Sequence, residues 1–190
     1  MSNFLPPFEQ IAAIVPQYST QGHGTTIIST TGLSSNTQSS VKTIIKRLAR
    51  SRSTDLTALK ARSSGATQRA ILQPLPLAPG LVLVPLKIRK PIVRGDISTG
   101  YVNIHAVKAV SINQKRPFRS TLSLSGGTEL PVMWTASTVK KQLQCARLVM
   151  TQTPSNHTLQ ETPASYAAIS NIAAKLIEVI YDILTLKSKS

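Results

Sequence analysis

The chain has 190 residues, 41% of them apolar, so it can bury a core and wholesale disorder is excluded. Aromatic residues make up only 4%, which excludes a broad platform for stacking single-stranded bases. Lys and Arg number 22 against 7 acids, a formal charge of +15 whose self-repulsion makes a polyanionic partner the economical explanation.

Two apolar runs open the chain, IAAIVPQY (11–18) and TTIIST (25–30), separated by the turn-like STQGHG. They predict a β-hairpin or two edge strands. Residues 29–40 (STTGLSSNTQSS) approach low complexity. A helix follows, because Val41, Ile44, Ile45 and Leu48 share one face while Lys42, Lys46, Arg47 and Arg50 fall largely on the other. Ser39 or Ser40 can cap it. Residues 57–69 (TALKARSSGATQR) then read as a passage from helix to loop, with Gly65 letting the backbone turn.

Pro74, Pro76 and Pro79 forbid regular helix, and Gly80 releases the chain into the buried-strand pattern LVLVPLKI. A basic connector, KIRKPIVRGD, leads to YVNIHAVKAV (101–110), which alternates as one further strand. The clearest local signal comes next, FRSTLSLS and ELPVMW joined by Gly126-Gly127, a hairpin whose tight turn requires positive φ. Thr138 opens a helix with Val139, Leu143, Ala146 and Met150 on one face. Residues 151–163 are a polar linker. Ile169, Ile172, Ala173, Leu176, Ile177, Ile180 and Leu184 then form the apolar stripe of a C-terminal helix.

These elements predict an α+β protein with a small, mostly antiparallel sheet and about three helices, the last being the C-terminal amphipathic one. The expected organisation is a basic domain over 1–150, the linker over 151–163 and the terminal helix over 164–190, which serves as core or as oligomer interface.

The charge is a central block. Residues 1–41 contain no Lys or Arg, whereas 42–147 hold 19 cations against Asp55, Asp96 and Glu129, a net of +16. The cations cluster as Lys46, Arg47, Arg50 and Arg52; Lys60, Arg62 and Arg69; Lys87, Arg89, Lys90 and Arg94; Lys115, Arg116 and Arg119; and Lys140, Lys141 and Arg147. Several stand beside Gly, Ser and Thr, whose N–H and hydroxyl groups also reach phosphates. No helix-turn-helix, zinc finger or aromatic RNA-recognition pair is visible; arginine on a loop can instead enter a narrow A·T-rich minor groove, where the negative potential is deepest. A basic RNA-binding or nucleic-acid-packaging protein of ribosomal or viral type is the alternative.

An enzyme is not expected. His23, His105 and His157 are far apart, Cys145 is the single cysteine, the acids are scattered, and no phosphate-cradling glycine motif follows a strand. No cofactor or metal is expected. One cysteine, no signal-peptide pattern and no apolar stretch near the roughly 20 residues of a membrane span point to a cytoplasmic protein without a membrane partner, and DNA binding would associate it with the nucleoid.

The order of segments resembles the ComK family, competence transcription factors of Gram-positive bacteria. The resemblance rests on IVPQY (14–18), the basic stretch TALKARSSGAT (57–67), PLAPGLVLVPLKIRKP, YVNIHAVK, the hairpin TLSLSGGTELPV, the helix STVKKQLQCARL, and VIYDIL (179–184). Leu83 and Val84 stand where the family favours aromatics, and Tyr101 where it favours Trp. The resemblance implies an activator of DNA-uptake genes that binds A·T-rich promoter boxes through the minor groove as a homo-oligomer. It also implies RNA polymerase and a proteolytic adaptor as further partners. By position, Lys60 and Arg62 match the basic turn, Asn103 and His105 the polar strand, and Lys140, Lys141 and Arg147 the late helix.

Overall fold

The computed structural model describes residues 6–19 and 22–152; the predicted terminal helix and its apolar stripe lie outside them. The expected opening hairpin forms from β1 (Ile11–Ser19) and β2 (Gly22–Ser29). The low-complexity stretch that follows contains a short edge strand, β3 (Ser34–Thr37), paired to β2. Helix α1 (Val41–Arg50) is capped by Ser40, whose side chain accepts from the Thr43 N–H, and it buries Val41, Ile44, Ile45, Leu48 and Ala49.

The stretch expected to turn from helix to loop is itself helical, as α2 (Leu56–Thr67). Asp55 starts it by accepting the Thr57 N–H at 2.7 Å. Gly65 is not the turning residue; the helix ends at Gln68, whose φ of +53° is left-handed. This helix carries no apolar stripe, because Leu59 and Ser63 are its only buried residues. Its place is set by neighbours rather than by its own pattern.

The proline-rich approach makes β4 (Leu75–Ala78), followed by β5 (Leu81–Lys87) and β6 (Thr99–Asn103). With β1 to β3 they form a six-stranded antiparallel sheet of order β3-β2-β1-β6-β5-β4. β5 is buried on both faces, which explains its unbroken apolar run. Leu81 and Leu83 join the core under α1 and α2, while Val82, Val84 and Leu86 join a second core on the opposite face. Pro85 lies beyond the β4 pairing, which ends at Leu83, so β5 has one neighbour there and tolerates the missing N–H. Pro16 sits likewise beyond the pairing of β1 with β6.

Residues 101–110 do not form one strand. A single 3₁₀ turn, Ile104–Ala106, carries the chain out of the large sheet into a second one, built from β7 (Val107–Ile112), β8 (Ser120–Leu124) and β9 (Glu129–Val132) in the order β7-β8-β9. Asn103 fixes this crossing. It is buried, donates to the carbonyls of Ile11 (3.0 Å) and Gly80 (2.8 Å), and accepts from the N–H groups of Val82 and His105. Asn103 is therefore a structural knot, with both ends of its amide used internally.

Gly126 and Gly127 turn the β8–β9 hairpin with φ of +80° and +75°, as the dipeptide requires. A Cβ on Gly126 would meet the Gly32 nitrogen at 2.3 Å, so the turns of the two sheets meet backbone to backbone. Helix α3 (Ala136–Gln152) covers the second core with Val139, Leu143 and Ala146 and packs Met150 against it, and it runs two residues into the stretch expected to be linker. The α+β class holds, with two antiparallel sheets instead of one. Among the described residues no helix is long and apolar enough to cross a membrane.

Candidate nucleic-acid interface

Strand direction sorts the connections between two ends of the molecule. The β1–β2 turn, the β5–β6 connection (88–98) and the β7–β8 connection (113–119) leave from one end. One backbone bond ties the two sheets together at that end, Met133 N–H donating to the Lys87 carbonyl (2.8 Å), and Arg119 N–H donates to the Val132 carbonyl (2.9 Å) within the second sheet. Lys87, Arg89, Lys90, Arg94, Lys115, Arg116 and Arg119 all lie here. All but Arg89 are exposed, and none has a carboxylate partner among the described residues.

The single acid in these loops, Asp96, is used to shape one of them. Its side chain is 3% exposed and accepts from the N–H groups of Ile92 (2.9 Å) and Val93 (3.0 Å) and from the Tyr18 hydroxyl on β1. His23 Nε2 approaches it at 3.4 Å. The Tyr18 bond, then the Val93 N–H, hold its pKa down at about 2. Burial and the bond to Asp96 raise the Tyr18 phenol in turn. Arg89 lays its guanidinium 4.0 Å from the Tyr18 ring centre, and its buried Nε and Nη1 have no hydrogen-bond partner, so the ring face stabilises that charge. Gly95, with φ of +99°, closes the turn. Sequence reasoning misses the grouping of Tyr18, His23 and Asp96, which are separated by up to 78 positions and share no motif.

A second cationic surface adjoins this end. A cleft of about 220 Å³ opens between α1, α2 and the start of β6, lined by Lys42, Lys46 and Lys60 over Ile97, Thr99 and Tyr101. Burial raises the Tyr101 phenol. Thus Lys60, from the stretch expected to be a basic turn, faces the cations of α1. Arg62 and Arg50 are exposed on the same two helices, and Arg47 is half-buried.

Other predicted residues are not brought there. Arg69 donates from Nη1 to Gln142 Oε1 at 2.9 Å, and Gln142 donates to the Leu72 carbonyl, tying the end of α2 to α3. Arg52 stacks on Phe8, 4.7 Å from the ring centre. Lys140, Lys141 and Arg147 are exposed on α3, which packs on the sheet face opposite to α1. His105 is exposed at the other end, in the crossing turn. Among the described residues no group of three His, Cys, Asp or Glu side chains is placed to hold a metal ion. No protein-family model, curated protein or solved structure matches the chain.

Proposed function

We propose that the chain binds duplex DNA with its basic end and the adjoining faces of α1 and α2, and activates transcription in the manner of the ComK proteins it resembles. The observation that supports DNA binding is the convergence of seven cations from β5 and two loops on one end, without carboxylate partners among the described residues. Loops project further than a helix face and can follow a backbone on either side of a narrow groove. Arg94 stands exposed beside the tip of one such loop, and A·T-rich minor grooves attract arginine most strongly. A·T-rich boxes, oligomeric binding, and association with RNA polymerase and a proteolytic adaptor rest on the resemblance.

Competition binding among an A·T-rich duplex, a G·C-rich duplex and a structured RNA, at one fixed salt concentration, tests the reading. It predicts that the A·T-rich duplex competes best. Equal competition by all three removes the activator, and preference for RNA favours a ribosomal or viral type of protein.

A further inference from the structure

The 88–98 loop carries two large apolar side chains at its tip, Ile92 and Val93, exposed by 74% and 60%. Their backbone is fixed: both N–H groups donate to Asp96, Tyr18 holds Asp96 from β1, and Gly95 closes the turn behind them. Lys90 stands on one side of the pair and Arg94 on the other, both exposed and both without a carboxylate partner among the described residues. Leu33, at the opposite end, is equally exposed at 75% but has no cation in its turn.

A fixed apolar tip between two cations matches the chemistry of a minor-groove wedge. Phosphates hold the flanks while a branched side chain enters between two base pairs, unstacks them and kinks the duplex. Ile and Val suit the task because branching at Cβ already restricts them, so little freedom is lost on insertion. We infer that Ile92 and Val93 form an intercalating wedge that unstacks one base step of the bound duplex, with Lys90 and Arg94 gripping the phosphates on either side. This rests on the proposed DNA binding and adds how the duplex is deformed. The same loop could enter an anionic bilayer, but its tip lacks the Trp or Tyr that settles at membrane interfaces.

The probe is an A·T-rich duplex carrying 2-aminopurine at successive adenine positions, whose fluorescence rises when the base is unstacked. The full chain is expected to raise it several-fold at one step. The double variant Ile92→Ser/Val93→Ser, checked for native circular dichroism, should bind the duplex within about threefold of the parent, since phosphate neutralisation dominates affinity, yet produce no rise. Binding by the parent without a rise at any position overturns the wedge and leaves the DNA reading intact. Failure of the parent to bind duplex overturns both. A rise retained by the double variant also overturns the wedge. So does loss of co-sedimentation with phosphatidylglycerol vesicles in the double variant while duplex unstacking is unchanged, because the tip would then be a membrane finger.

Discussion

The two ends of the sandwich are built from the same strands and put to opposite uses. At one end two of the connections, 88–98 and 113–119, are long and cationic, and the acid among them, Asp96, is turned inward to hold loop N–H groups. At the other the strand-to-strand connections (30–33, 79–80, 104–106 and 125–128) contain no Lys or Arg. They interlock through Asn103 and through the close approach of Gly32 to Gly126. The closed end is held by internal hydrogen bonds and close backbone packing, and the charged end keeps its cations exposed to water, where their mutual repulsion is weakest.

If this division holds, substitutions at the two ends should separate stability from binding. The largest stability loss is expected for Asn103→Ala, which removes the partner of backbone groups on β1 and β5 and in the turns at Gly80 and His105; urea unfolding should show a loss of about 3 kcal/mol or more. Gly126→Ala comes next. A Cβ there must adopt a left-handed φ and press into the Gly32 backbone, for a loss of more than about 2 kcal/mol. Neither change should alter the salt dependence of DNA binding while the protein stays folded.

On the cationic helix surface beside the charged end the pattern should invert. Lys60→Ala with Arg62→Ala should flatten the slope of log affinity against log salt by about 2 if both touch phosphate, and leave unfolding nearly unchanged. A large stability loss with an unaltered slope would assign them to packing. The smallest effect is expected from pH. Asp96 titrates at about 2 when folded, below its ordinary 3.8, so it stabilises the fold above pH 3.8 and that contribution disappears as pH falls through about 2. Asp96→Asn should flatten this part of an acid-unfolding curve; an unchanged curve would mean that the loop is not held by that carboxylate.

Helix α1 and the two hairpins are legible in the sequence because their signals are local: a serine cap, an apolar stripe and a Gly-Gly turn. Helix α2 is not, since it buries only Leu59 and Ser63 and owes its place to α3 and β4. The second sheet is hidden because 101–110 alternates smoothly across a crossing that depends on Asn103 reaching Ile11 and Gly80. The cations are legible as residues but not as a surface. Strand direction groups Lys87 with Arg119, sends Lys140 and Lys141 to another face, and occupies Arg69 with Gln142.

The most direct test of the charged end as the binding surface is the triple variant Lys115→Ala/Arg116→Ala/Arg119→Ala. Its binding to an A·T-rich duplex would be titrated from low to high salt beside the parent. The slope is expected to fall in magnitude by about 2.7, that is by about 0.9 for each phosphate no longer neutralised, with unfolding unchanged. A parent-like slope in a folded triple variant would contradict the assignment of this end to DNA.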